Sequence, residues 1–548
     1  MSERWYSEAV VYCLDVDTYA DSDGDGVGDF QGLIGRLDYL ARLGVNCLWL
    51  HPIHPSPNRD DGYDVLDFYN VSPDLGSLGD FAELLHQASN RGIRVIIDLV
   101  VNHTSDQHPW FQSARSSPDS PYRDWYVWSE TEPPNRKKGM VFPGEQEAIW
   151  SYDRKAKAWY HHRFYPFQPD LNFAHPPVRE EIKKIMAFWI QLGVAGFRID
   201  AVPFIIEYTE PGRDDSPKHL DALTELRQHV QWRRGDAVLL AEANVEPDQL
   251  VAYFADAGGS ANRIHMLFDF MLNGRLVLAL AREDPEPIVE ALHDTPALPP
   301  GAQWATFLRN HDEIDLSRLT TEQRNEVFAK FGPDENMQLY GRGIRRRLAP
   351  MLGNDRRRLE LAYSLQFTLR GTPVLRYGEE IGMGEDLSLP GRDAIRTPMQ
   401  WSFLPNAGFT TGKEPRRSVI SGGEYGFETV NVTAQRHDPK SLLAWFERMI
   451  RTLREAPEVG AGTCQYVDVA LPKGVLAHRA DAESGTMLFL HNLSTEPAVV
   501  DLSSLYEDAD YPNEVLADRE YDDVGELDAL DIDGYGYRWI RLRRTSFS

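Results

Sequence analysis

Residues 196–202 read Gly-Phe-Arg-Ile-Asp-Ala-Val, residues 238–244 Val-Leu-Leu-Ala-Glu-Ala-Asn, and residues 307–313 Phe-Leu-Arg-Asn-His-Asp-Glu. Each is an apolar, strand-like run ending in an acidic residue (Asp200, Glu242 or Asp312) before a loop or helix. One Asp after a strand is usually a helix N-cap. Three such ends, with Arg198 and His311 alongside, place carboxylates together at the C-terminal mouth of a parallel sheet, where α/β barrels hold their chemistry. Carboxylates gathered at one mouth are what glycosidic bond cleavage needs: a nucleophile, a proton donor and charge to balance an oxocarbenium-like transition state.

Working outward from these segments, strand-like and helix-like runs alternate along most of the chain, the pattern of parallel βα units. VVYCLDVDTY, CLWL, VIIDLVV, GFRIDAV, VLLAEAN, MLFDF, QWATFLRN and PVLRYGEEIG supply eight strands. Amphipathic runs such as FQGLIGRLDYLARLG and VREEIKKIMAFWIQLG separate them, and SLLAWFERMIRTLREA closes the set. The expected fold is α/β: a (β/α)8 TIM barrel over 1–103 and 175–459. The interval 104–174 is far longer than an ordinary βα loop and rich in Pro, Trp, Tyr and Phe, which predicts a small inserted subdomain after the third strand. Long loops around 314–355 and 386–438 would crowd the same rim. From about 460 to 548 short alternating runs such as GVLAHRA and TMLFLHNLS predict a C-terminal antiparallel β-sandwich. That sandwich serves either as a stabilising cap or as an interface for a homo-oligomer.

The chain has 548 residues, with 57 Lys+Arg against 84 Asp+Glu and a formal net charge of −27. Such a surface repels phosphate backbones and anionic membranes, so no nucleic-acid partner is expected; a neutral small-molecule sugar suits it. The N-terminal MSERWYSEAV lacks an apolar signal-peptide core, and no apolar run approaches a membrane span. Cys13, Cys47 and Cys464 are too scattered for a disulfide framework or a zinc site. Cys13 and Cys47 read as core residues, and a reducing cytoplasm is the expected location.

Period-two alternation puts Arg198 and Asp200 on one strand face, where a guanidinium would keep Asp200 ionised and oriented, as a nucleophile requires. Glu242 reads as the proton donor, needing a pKa raised by apolar walls and the Asp200 charge. His103 ends the third strand. Asp60, Asp61 and Tyr63, in SPNRDDGYDV, offer carboxylates and an aromatic platform, with Gly62 permitting a tight turn. The run Asp21-Ser-Asp23-Gly-Asp25-Gly-Val27-Gly-Asp29 sets oxygens at alternate positions, like the start of a calcium loop, but Gly32 stands where an EF-hand places its closing Glu. Hard oxygen ligands favour structural calcium, or magnesium, over a transition metal. No organic cofactor is expected.

DLVVNH (98–103), GFRIDAV, the strand ending in Glu242 and FLRNHD together resemble the four signature regions of the α-amylase family, glycoside hydrolase family thirteen. Within it, DSDGDGVGDF, HPSPNRDDGYDV, VNHTSDQHPWF, QPDLNF, GIRRRLAPMLGNDRRR and RTPMQWS with NAGF resemble the trehalose synthase group, the maltose α-D-glucosyltransferases, over nearly the whole chain. The resemblance implies Asp200 as nucleophile, Glu242 as general acid/base and Asp312 as transition-state stabiliser. It also implies that Asp60, Tyr63, His103, Arg198 and His311 hold the glucosyl unit, with Gln168 and Arg392 as further contacts and Arg396 competing with Arg392. It implies one calcium site at Asn102, Asp170 and Glu207 with the carbonyls of Phe204 and Ile205. A second would use Asp21, Asp23, Asp25 and Asp29 with the Val27 carbonyl. The reaction implied is interconversion of maltose and trehalose by intramolecular transglucosylation, with side hydrolysis to glucose. A hydrolytic or transglucosylating α-glucosidase would use the same residues. A silent carbohydrate-binding barrel is the other class, and the intact Asp200, Glu242 and Asp312 argue against it. The first strand, the segment LPGRDAIRTPMQW and His51 depart from the trehalose synthase pattern.

Overall fold

The computed structural model describes residues 4–212, 218–412, 414–461, 463–483, 485–505, 510–522 and 524–544. Eight parallel strands close into a barrel: β1 Val11–Leu14, β2 Cys47–Leu50, β3 Arg94–Leu99, β4 Gly196–Ile199, β5 Val238–Ala241, β6 Met266–Phe268, β7 Gln303–Thr306 and β8 Thr372–Arg376. Side-chain alternation divides them between two cores. Val11, Cys13, Cys47, Trp49, Val238, Leu240, Met266, Phe268 and Val374 point inward and pack together. Tyr12, Leu14, Leu48, Leu50, Leu239 and Leu267 point outward against the surrounding helices. Both faces are therefore apolar, which is why these strands read as continuous hydrophobic runs. Cys13 and Cys47 sit in the inner core as expected, their thiols pushed up to about 12 by burial.

The helices form where the spacing says they should. Helix Pro176–Leu192 starts with Pro in its first turn, buries Val178, Ile182, Ile185, Met186, Trp189 and Ile190 along one stripe, and ends at Gly193 in the left-handed conformation. Helix Leu78–Asn90 opens on a reciprocal capping box between Ser77 and Asp80, a device worth about 1 kcal/mol.

Residues 104–174 leave the barrel after β3 and carry helix Pro109–Ala114 and a three-stranded antiparallel sheet of Trp128–Ser129, Ala158–His161 and Trp150–Asp153. At the other end, five antiparallel strands (Thr463–Tyr466, Val475–Ala482, Gly485–Asn492, Tyr537–Arg544 and Asp510–Ala517) face a pair, Ala498–Val500 and Leu530–Ile532, across an apolar layer that includes Leu488, Leu490, Val500, Leu530 and Ile540. The sequence pattern had not pointed to Asp510–Ala517, where Pro512 and charged residues interrupt the alternation; it lies at the sheet edge, where Pro is tolerated. The C-terminal sheets rest on the barrel through Trp445 Nε1 donating to the Tyr537 hydroxyl at 2.6 Å and Trp539 Nε1 donating to Ser364 Oγ at 2.8 Å. Among the described residues no helix is long and apolar enough to cross a membrane.

Candidate active site

β4 begins at Gly196, where a Cβ would stand 2.1 Å from the carbonyl oxygen of Val238, so only glycine lets β4 and β5 approach there. Ile199 pairs in register with Ala241. Asp200 and Glu242 are the next residues of those strands and therefore emerge side by side, on backbones about 4.8 Å apart. Immediately after Asp200, Ala201 takes a left-handed φ of 50° and caps helix Val202–Ile205. A non-glycine residue there costs roughly 1–3 kcal/mol, and the sharp turn lifts the chain off the sheet directly behind the carboxylate. Asp312 differs: β7 ends at Thr306, and Asp312 lies on the loop beyond it, where Arg309 Nη1 donates to its carbonyl.

One guanidinium organises the centre. Arg198 Nη1 contacts Asp200 Oδ1 at 2.6 Å and Asp98 Oδ1 at 2.7 Å, and its Nη2 bonds Glu242 Oε2. Asp98 faces Arg198 in register across β3 and β4 and also accepts from Trp49 Nε1 at 3.1 Å. Burial, reinforced by the charges of Asp200 and Asp312 and opposed by Arg198, pushes Glu242 up to about 8. It is a protonated acid at neutral pH. Asp312 is the reverse: burial works against ionisation, but Arg392 at 2.9 Å and Arg396 at 3.0 Å hold its carboxyl below its ordinary value. Two carboxyls in one cleft are thus driven apart, the signature of an acid and a permanent anion.

A cavity of about 500 Å³ opens over this centre, lined by Asp60, Tyr63, His103, Asp200, Glu242, His311, Asp312 and Arg392 among others. Gln168 Nε2 donates to Asp60 at 2.7 Å, and burial raises Asp60 to about 7. Gly62 adopts φ 90°, the turn that sequence required, and presents Tyr63, whose hydroxyl meets His311 Nε2 at 2.7 Å. His103 Nε2 contacts the Tyr63 carbonyl at 3.0 Å. Burial first, then His51 and Arg396, keep His311 well below its usual value and therefore neutral. Arg392 and Arg396 both reach Asp312, but Arg392 lines the cavity while Arg396 turns inward to Asp61 and the His311 carbonyl. In the cavity wall, Phe142 of the inserted segment stacks on Tyr340 of the rim loop at 4.9 Å and on Tyr165 at 5.1 Å, with Arg392 against Phe142.

The model of the alpha amylase catalytic domain matches residues 16–331 and 344–462, and that of a sucrose hydrolase-like C-terminal domain matches 485–541. The chain belongs to the α-amylase family. It is similar to the trehalose synthase/amylase of Mycobacterium tuberculosis, 42% identical across 98% of this chain and 90% of that enzyme. It is also similar to the trehalose synthase of Pimelobacter sp. strain R48, 41% identical across 98% of this chain and 96% of that one. Among solved structures, the trehalulose synthase of Pseudomonas mesoacidophila MX-45 superposes with a TM-score of 0.78 at 25% identity, covering 98% of this chain and 99% of that one.

The residues expected to hold metal fall in two places in this α-amylase family member. Ligand oxygens of Asp21, Asp23 and Asp29 lie within 4.8 Å of one another, while Asp25 accepts the Val27 N–H at 2.8 Å and is exposed. No Lys or Arg pairs with these carboxylates among the described residues. Elsewhere, Asn102 Nδ2 donates to Asp170 at 3.2 Å, and Phe204 and Ile205 sit on the short helix before Glu207. There Arg163 already spans the set: its backbone N–H donates to Asp170 at 2.9 Å and its guanidinium stands 3.4 Å from Glu207.

Sequence reading had not singled out Asp98, Trp49 or Glu313, and Asp61, grouped with Asp60 and Tyr63 in sequence, turns to Arg396 and Arg417. Asp98 was within reach: it stands in the quoted DLVVNH run and alternates inward like Arg198. Glu313, which binds Arg392 Nε at 2.8 Å, carries no such signal, since its partner lies on a distant loop.

Proposed function

We propose that this chain is a retaining α-glucosyl-transferring enzyme that interconverts maltose and trehalose. The observation that carries the reading is the sharing of one Arg198 guanidinium by Asp200 and Glu242 on adjoining strands. That arrangement suits the short separation of retaining pairs, about 5–5.5 Å, better than the roughly 6.5–9.5 Å of inverting ones. Glu242, protonated, gives its proton to the glycosidic oxygen of maltose as Asp200 attacks the anomeric carbon. The C–O bond breaks, glucose is freed in the neighbouring subsite, and a β-glucosyl ester remains on Asp200. Asp312, held ionised by two arginines, balances positive charge developing on the ring. When the freed glucose turns, its anomeric hydroxyl passes its proton to the Glu242 carboxylate and displaces Asp200, giving the α,α-1,1 linkage. Two inversions leave net retention.

A cavity of about 500 Å³ falls within the range of ~300–1,000 Å³ usual for small-ligand sites and suits one disaccharide. The Phe142–Tyr340 contact supports retention of glucose between the two steps. A second reading, an α-glucosidase on short α-glucosides, draws support from the polar outer lining of Lys218, Asn244, Asp315, Ser317 and Arg342, through which water can enter. Incubation with maltose, with trehalose, glucose and longer saccharides quantified over time, separates the two. Trehalose as main product supports the isomerase; mostly glucose refutes it in favour of the glucosidase.

Within the same reading, Asp21, Asp23 and Asp29 hold a structural divalent cation, calcium or magnesium, whose charge would neutralise their mutual repulsion. Asn102, Asp170 and Glu207 with the carbonyls of Phe204 and Ile205 form a second such set, where Arg163 is the competing cation. The three unpaired cysteines suit a cytoplasmic location.

A further inference from the structure

Beneath the sugar-facing residues lie buried charged groups that glucosyl transfer does not itself require. Asp15 follows β1, His51 follows β2, and Arg376 ends β8, on three neighbouring strands. Cys13 pairs with Arg376 and Leu14 with Leu50, so Asp15 rises between the two basic side chains. One of its oxygens accepts from Arg376 Nη2 at 2.9 Å and the other contacts His51 Nδ1. All three side chains are buried.

This set touches the candidate active site through His311. The His51 and His311 rings lie 4.2 Å apart, centre to centre, at 43°. Trp49 stands edge-on to both, 4.9 Å from His51 and 5.6 Å from His311, while its N–H is spent on Asp98. His51 Nε2 is buried with no protein hydrogen-bond partner among the described residues, and His51 borders a cavity of about 70 Å³. The ring is therefore fixed by one bond, to Asp15, and by two aromatic neighbours. A histidine whose second nitrogen is held by a carboxylate is oriented in tautomer and plane.

We propose that Asp15 and His51, backed by Arg376, form a positioning dyad that holds the His311 ring against the glucosyl subsite. The inference rests on the glucosyl-transfer reading above. The groups facing His51 are Asp15 and Arg376 beside it, Asp98, His311, Asp312 and Arg396 on the inner side, and Asp17, His54, Asp61, Asp74 and Arg416 around the small cavity. After Arg392, Arg396 and Arg198, His51 is the next group that holds Asp312 down against burial, and it leads the groups that keep His311 neutral.

The test compares wild type with His51→Leu, His51→Asn, Asp15→Asn and the double variant His51→Leu/Asp15→Asn on maltose across pH, with Tm measured for each. The expected loss in kcat for His51→Leu is about tenfold, the usual scale for a residue that orients a ligand-contacting group. KM should change far less, and the double variant should be no worse than the worse single, as for residues acting as a unit. His51→Asn keeps a donor toward Asp15, so kcat should partly recover. The acid limb of kcat/KM should still lie at higher pH than in wild type. Should His51→Leu not fold, that limb in His51→Asn decides. Folded variants with wild-type kcat and pH profile, or losses that add and leave the acid limb in place, overturn the dyad while leaving the transfer reading intact. A wild type that turns over no α-glucoside removes the reading and the dyad together.

Discussion

Replacing the proposed proton donor by its neutral isostere, Glu242→Gln, should stabilise the fold at alkaline pH while abolishing transfer. Glu242 is lifted from an ordinary 4.5 to about 8, first by burial and then by Asp200 and Asp312. Below about pH 4.5 the carboxyl is protonated in both folded and unfolded chains, so wild type and variant should be equally stable. Between the two values the unfolded chain ionises freely and the folded one does not, so the wild type loses stability as pH rises. Above pH 8 the deficit is constant. At about 1.4 kcal/mol per pH unit, the ceiling is ~5 kcal/mol; with 30% of the side chain open to the cavity and Arg198 bound to it, solvent screening reduces this to ~2 kcal/mol. In a chain of this size that is about 2 °C in Tm. The assay is thermal unfolding of both proteins at pH 4.5, 7 and 9, alongside the alkaline limb of wild-type kcat/KM, expected near pH 8. A variant destabilised at pH 9, or a Tm difference independent of pH, would refute the claim that Glu242 is held protonated.

Three other outcomes follow from the same geometry. Asp200→Ala should remove both isomerase and hydrolase activity by several orders of magnitude with an unchanged fold by circular dichroism; substantial turnover would sink its role as nucleophile. Phe142→Ala, which breaks the stack with Tyr340, should raise the glucose share of the products several-fold at comparable maltose consumption; an unchanged product ratio on chromatography would show that the aromatic contact does not control water entry. Chelation, or Asp21→Asn, should lower Tm by a few degrees, with added calcium restoring the chelated wild type; Tm indifferent to chelator and calcium would remove the cation from the acidic loop.

Local chemistry made much of this legible. A strand that must bury both faces is apolar throughout, so eight such runs separated by amphipathic helices read directly as a barrel. An acidic residue breaking the apolar run at its end stands out, as Asp200 and Glu242 do. Gly62 was equally readable, because a left-handed turn leaves few alternatives. Asp312 is legible as the acid after an apolar run although it lies past the end of β7, and Asp510–Ala517 is not legible because an edge strand tolerates Pro512 and charges that hide its period.

Sequence by itself thus determined the elements, the barrel and the acids at its mouth, since each depends on residues a few positions apart. Tertiary structure decided how those acids differ. Arg198 joins Asp98, Asp200 and Glu242 only because β3, β4 and β5 are neighbours in register. Arg392 rather than Arg396 borders the cavity because of where one rim loop crosses Asp312. Asp15, His51 and Arg376 meet only when β8 closes on β1. Charge interactions of this kind depend on distance and burial in the folded barrel, and spacing along the chain encodes neither.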